Sequence, residues 1–149
     1  MIKKDVAAAI LMEKIVRDVY SNKGSREVQP LQWSILRYLD RASAKSSDLT
    51  SIARFLGLTL SPISRAVQTL EKRGFVTKRP DPQSGRAVVI SLSDEGQAIL
   101  EADPILKIAG KINALPEAER EQFRTALRSL WLLEQIEDGD ADGADLAHR

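Results

Sequence analysis

Apolar and polar positions alternate most tightly between Leu49 and Gly74, with the period of two short helices joined by a turn. Leu49, Ile52, Ala53 and Leu56 recur at i, i+3, i+4 and i+7, one face of a first helix. Gly57 follows, where a left-handed stop is easiest. Leu58 is apolar and is expected to plug the gap between the helices. Ser61-Pro62 predicts the second start, with Ser61 capping an orphan N–H and Pro62 at the first helical position. Ile63, Val67 and Leu70 then face inward, so Ser64, Arg65, Gln68 and Thr69 face elsewhere. That outward surface, short and polar with one arginine, suits base edges and phosphates. After Gly74 the period changes to two. Residues 75–79 and 86–92 predict strands, separated by the turn-rich tip Pro80-Asp81-Pro82-Gln83-Ser84-Gly85. Helix-turn-helix followed by a hairpin makes a wing.

The flanks are helical. From Lys3 to about Asn22, Val6, Ile10, Ile15 and Val19 form a broad apolar face with Ala7, Ala9 and Leu11. Either a partner subunit or the rest of the domain must cover it. Gly24-Ser25 breaks the pattern. Leu31–Arg41 is a second helix, with Trp33, Ile35, Leu36 and Leu39 as core positions. A loop spans 42–47, and Ser46 or Ser47 is expected to cap the next helix, with Asp48 in its first turn. Ser93-Asp94-Glu95-Gly96 opens a helix to about Ala102, which Asp103-Pro104 either kinks or restarts. Ile105, Leu106, Ile108 and Ile112 continue the apolar face. Leu115-Pro116-Glu117 begins the last helix, carrying Phe123, Leu127, Leu130 and Trp131; both tryptophans are expected in the core. From Gly139 the chain is Asp/Ala/Gly-rich and reads as a frayed tail.

Composition narrows the chemistry. The 149 residues suffice for one domain with a real core, or for a small domain with an oligomerisation arm. Net charge is only +1, but its distribution is polarised. Seven Lys/Arg lie between Arg54 and Arg86 against Glu71 and Asp81, while 137–149 holds five acids and one arginine. No cysteine is present, which excludes disulfides and thiolate metal sites; the single histidine, His148, excludes a His-rich one. Charges punctuate the apolar N-terminal stretch, so neither a signal peptide nor a transmembrane segment is expected, and the protein should be cytoplasmic. There is no glycine-rich phosphate loop and no usable catalytic His or Cys, so no enzyme and no cofactor is expected.

The order of elements resembles the MarR family of bacterial winged helix-turn-helix regulators. The resemblance is carried by Leu31-Gln32-Trp33, by Leu49…Ala53…Leu56-Gly57-Leu58, and most closely by the run from Ser61 to Val67 with Leu70-Glu71-Lys72-Arg73-Gly74-Phe75-Val76. Asp81-Pro82…Arg86 and Leu92-Ser93-Asp94-Glu95-Gly96 complete it. The fold implied is mainly α with a small two- to three-stranded β-wing, and long N- and C-terminal dimerisation helices at about 1–22 and 94–136. The single winged-helix domain would span 1–136, followed by a disordered acidic tail, 137–149. The resemblance implies a triangular homodimer whose recognition helices enter major grooves and whose wings reach minor grooves. Members usually carry Asp-x-Arg at the wing; Ser84-Gly85-Arg86 keeps the arginine without the acid, leaving Ser84 or Asp81 to orient it.

The expected function is a sequence-specific transcriptional regulator, a ligand-responsive repressor acting as a homodimer on an inverted repeat in double-stranded DNA. The alternative is a winged-helix module that binds protein. Base readout falls to Arg65 with Ser61, Ser64, Gln68 and Thr69 beside it, Pro62 being more structural than contacting. Phosphate contacts fall to Arg54, Lys72, Arg73, Lys78 and Arg79, and the minor groove to Arg86. Arg17, Tyr20, Trp33 and Arg41 lie on elements that could border a pocket for a small aromatic or anionic effector.

Overall fold

The computed structural model of the protein describes residues 2–21 and 27–144, with the side chains of 86, 87 and 134–144 left aside. Gly24-Ser25 therefore lies outside the described residues. The chain divides into two compact units, Met1–Leu106 and Lys107–Arg149.

The first unit opens with α1 (Lys3–Val19) and α2 (Pro30–Arg41). Pro30 occupies the first position of α2, where no N–H is needed, and the Gln29 N–H donates to Gln32 Oε1 at 3.0 Å. After a short 3-10 turn at Ala44–Ser46 come α3 (Leu49–Leu56) and α4 (Leu60–Lys72). Between them Gly57 takes the left-handed conformation, φ 63°. A second positive φ, at Gly74, turns the chain into the wing. One core collects the inward faces: Trp33, Ile35, Leu36 and Leu39 of α2, Ile52 and Ala53 of α3, Ile63, Ala66, Val67 and Leu70 of α4, with Val76 and Ile90 from the strands. This is the expected winged helix-turn-helix.

Three local expectations change. The residue capping α3 is Asp48, not Ser46 or Ser47. Ser47 is already spent: its hydroxyl donates to the Ser43 carbonyl at 2.8 Å, and its own carbonyl accepts from the Ile90 N–H at 2.8 Å. Helix α4 begins at Leu60, so Ser61 is inside it and Pro62 is in its first turn. Any position in that turn tolerates proline, because the first N–H groups have no partner within the helix. Leu58 does not plug the turn. It is 44% exposed, and buried Ile52, Ala53, Ile63 and Val67 fill the seam instead.

The wing is a two-stranded antiparallel hairpin, β1 (Val76–Asp81) and β2 (Ser84–Leu92). Its register runs from Val76 opposite Leu92 to Pro80 opposite Val88, with an irregularity at Pro80/Asp81. Both strands extend into the expected tip, since each has a free edge where proline costs no ladder bond. Asp81 Oδ1 accepts from the Gln83 N–H at 2.9 Å and closes the turn. At the base, Ser93 Oγ donates to the Gly74 carbonyl at 2.5 Å and accepts from the Gly96 N–H at 3.0 Å, capping α5 (Asp94–Ile99) as expected. Helix α5 passes so close to the hairpin that a Cβ on Gly96 would overlap the Phe75 carbonyl.

A 3-10 turn, Leu100–Ala102, ends at Asp103-Pro104, and α6 (Ile105–Asn113) starts afresh. The proline restarts the helix rather than kinking it. Asp103 makes the new start, accepting from the Ile105 N–H at 2.9 Å.

In the second unit, α7 (Glu117–Ala144) follows the turn at Leu115-Pro116. Arg120 Nη1 donates to the Asn113 carbonyl at 3.1 Å and to Asn113 Oδ1 at 3.0 Å. Backbone helix continues past Glu137 and Gly139 to Ala144, where a disordered tail is expected; the low cost of lengthening an existing helix works here against the poor propensity of Gly139 and Gly143. Trp131, expected in the core, is 60% exposed, and Phe123, Leu130, Leu132 and Leu133 are exposed beside it on α7. Periodicity marked the apolar stripe but could not say whether this chain covers it. No helix among the described residues is long and apolar enough to cross a membrane.

Candidate nucleic-acid interface

Packing orients α4. With Ile63, Ala66, Val67 and Leu70 buried, Ser61, Ser64, Arg65, Gln68 and Thr69 stand exposed, and Pro62 is half-buried at the edge. The five exposed side chains belong to one solvent-facing surface, and none is acidic. Thr69 donates its hydroxyl hydrogen to the Arg65 carbonyl at 3.1 Å, so its oxygen faces outward chiefly as an acceptor. An arginine fork among short hydroxyls and an amide can approach a base edge without being blocked by its neighbours.

The surrounding cations differ in how far they are committed. Arg54 on α3, Lys72 at the end of α4 and Arg79 on β1 are exposed. Arg73 is exposed but anchored: its Nη1 donates to the Glu27 carbonyl at 3.3 Å, and its guanidinium lies 5.0 Å from the Phe75 ring centroid. Lys78 Nζ sits 3.1 Å from Glu71 Oε2. Lys78 shares a face of the hairpin with its cross-strand partner Ile90, which is buried, while Arg79 points to the opposite face. The Arg86 side chain lies outside the described residues. Asp81, one alternative for orienting it, is engaged with the turn at Gln83.

A second feature of the first unit is a cleft of about 1020 Å³, lined among others by Arg37, Tyr38, Arg41, Phe55 and Asp103. Tyr38 and Phe55 present tilted rings 4.8 Å apart, and Tyr38 Oη donates to the Ser46 carbonyl at 2.6 Å. Arg37 is clamped: Nε donates to Asp103 Oδ2 at 2.5 Å, and Nη2 donates to Asp103 Oδ1 at 3.0 Å and to Tyr20 Oη at 2.6 Å. The Asp103 side chain is only 3% exposed. Burial pushes the Arg37 guanidinium down, but the bonds to Asp103 and Tyr20 outweigh it and hold its pKa above the ordinary arginine value.

Of the four residues expected to border an effector pocket, Arg41 lines this cleft. Trp33 is in the core, Tyr20 is held by Arg37, and Arg17 is paired with Glu13 on exposed α1. Arg37 was not singled out by sequence reasoning. Its signal was spacing: four residues after Trp33, it is a charge on the apolar side of α2, and a charge there needs a partner. Among the described residues no cluster of His, Cys, Asp and Glu could hold a metal ion.

Exposed polar α4, its supporting α3 and the adjoining hairpin define a winged helix-turn-helix protein. Comparison with known proteins is consistent with this. Residues 28–88 match the model of the MarR family. An uncharacterized HTH-type transcriptional regulator, YdcH of Bacillus subtilis, is 30% identical over 80 residues, 53% of this chain and 54% of YdcH. The chain thus matches about half the length of that relative. Two solved structures share the fold. A mutant of MepR from Staphylococcus aureus bound to an oligodeoxyribonucleotide gives a TM-score of 0.59 at 18% identity, over 91% of this chain and 99% of that one. PcaV from Streptomyces coelicolor, in complex with its natural ligand, gives 0.63 at 24% identity, over 83% and 88%. Over residues 28–88 the chain is thus similar to the MarR family domain, and the solved structures share its winged helix-turn-helix fold.

Proposed function

We propose that the protein is a homodimeric, sequence-specific DNA-binding repressor that responds to a small ligand. The observation that carries the reading is the exposed face of α4 from Ser61 to Thr69, which carries no acid, with Arg65 opposite the buried stripe of Ile63, Val67 and Leu70. Arg65 reads a base edge in the major groove, assisted by Ser61, Ser64, Gln68 and Thr69. Arg54, Lys72, Arg79 and, at the cost of its Glu71 partner, Lys78 meet phosphates; Arg73 contributes while staying anchored on Phe75. Arg86 carries the wing into the minor groove. DNA in the MepR complex and the ligand in the PcaV complex support this reading by analogy of fold.

Dimerisation is supported by apolar surface that a monomer leaves in water. Val6, Ile10, Leu11, Ile15 and Val16 on α1 are exposed, as are Leu130–Leu133 on α7. Two copies burying these faces would present two recognition helices to an inverted repeat, with half-sites about one helical turn apart. The effector would enter the cleft beside Arg37 and Arg41, where aromatic and cationic side chains suit a small aromatic anion.

Selection from a pool of randomised duplexes tests the reading. The expected product is an inverted repeat whose binding weakens steeply with salt through counterion release. No enrichment at low salt would favour the protein-binding alternative.

A further inference from the structure

One apolar residue on α4 has no place in the core. Leu60 opens the helix and is 51% exposed, although the helix buries Ile63, Ala66, Val67 and Leu70 behind it. Its exposure follows from position. Helical Cα–Cβ bonds tilt toward the N-terminus, so a side chain normally lies over the turn before its own. Leu60 has no preceding turn, and it projects past the end of α4. Ser64 lies one turn behind it on the same side, and Ser61 is its neighbour. Leu58, in the turn, adds a second exposed apolar side chain close by in the chain.

The surroundings say what could cover this apolar spot. Arg65 shares the exposed surface of α4 with the hydroxyls, and Arg54, Lys72 and Arg79 are exposed on the same winged unit. An apolar protein surface would have to desolvate these groups. DNA satisfies both demands, because phosphates meet the cations and the major groove offers one apolar group, the thymine C5-methyl. We propose that Leu60 is a specificity-determining residue that reads thymine by packing on this methyl, with Arg65 reading the adjoining hydrogen-bonding edge. The inference rests on the DNA-binding reading and adds to it a base preference that no polar residue of α4 supplies.

Deoxyuridine isolates the contact, since it pairs like thymine and lacks only the methyl. The duplex enriched by the full-length protein is resynthesised with each half-site thymine replaced in turn by deoxyuridine, and binding is measured by anisotropy. One replacement should weaken the wild type about four-fold per half-site, the effect of losing one buried methyl. Leu60→Ala should bind the thymine duplex about as weakly as the wild type binds that deoxyuridine duplex, and should ignore the replacement. The wild-type arm needs no variant, and circular dichroism of Leu60→Ala checks that it folds. A wild type indifferent to every replacement, a half-site without thymine, or a folded Leu60→Ala as sensitive as the wild type would each overturn the proposal while leaving DNA binding intact. Failure to enrich any duplex would overturn both.

Discussion

Glu71 is the acid nearest in sequence to the polar end of the recognition helix, and its partner is one of the cations assigned to DNA. The Lys78–Glu71 pair is partly exposed, so it adds little to stability, well under about 1 kcal/mol. Its consequence for binding is larger. Lys78 is already neutralised and must exchange a carboxylate for a phosphate. Glu71→Gln should therefore tighten binding to operator and scrambled duplex alike and steepen the salt slope by up to about one unit; an unchanged slope would remove Lys78 from the interface. Asp48 makes a different prediction. Burial pushes its carboxyl up, yet the Ser51 N–H and hydroxyl outweigh this and hold it below the ordinary carboxylate value. A lowered folded pKa means stability that is present above the unfolded value and is lost as pH falls through the folded one. Asp48→Ala should cost about 1 kcal/mol near neutral pH, and the difference from wild type in denaturant titrations should shrink below about pH 4.

At the scale of elements, what was legible was local. Gly57, Gly74 and Ser93 do what the chain around them requires, because a left-handed stop or a serine cap is decided within a few residues. The cap of α3 was not legible, because Ser46, Ser47 and Asp48 are all capping residues in adjacent positions, and only the fold shows the Ser47 hydroxyl turned back to the Ser43 carbonyl and Asp48 accepting from Ser51. The polar face of α4 could be read from periodicity alone, while Leu58, expected inside the turn, lies outside it, since apolarity says nothing about which side a turn presents. Helix α5 shows how little latitude the hairpin base leaves. Gly96→Ala must push α5 off the Phe75 carbonyl and should cost about 1–3 kcal/mol, lowering the midpoint of urea unfolding. The Arg37–Asp103–Tyr20 clamp ties α1, α2 and the start of α6 together inside the first unit. Asp103→Ala would leave the guanidinium without its carboxylate and α6 without its first acceptor. A loss of roughly 3 kcal/mol is expected, larger than for Tyr20→Phe, which removes one bond. Equal losses from the two variants would mean that the carboxylate is not the centre of the clamp.

Among the described residues, α1 and α7 each carry a run of exposed apolar side chains. Sequence periodicity identified both stripes, but only a folded chain shows that Trp131 stays outside. Ile10→Asp should convert a dimer into a monomer in sedimentation velocity, and should weaken binding to an inverted repeat far more than to a single half-site. A variant that remained dimeric would place the interface elsewhere. In the proposed mode of binding, one residue, Arg65, reads sequence while the cations around it supply affinity. It is tested most directly by fluorescence-anisotropy titration of wild type and Arg65→Ala against the enriched duplex and a scrambled one, at several salt concentrations. A loss of roughly 1–3 kcal/mol per half-site is expected on the enriched duplex, with a small loss on the scrambled one and flattened discrimination at one base-pair position. An equal loss on both duplexes would make Arg65 a phosphate contact and leave α4 without its base-reading arginine.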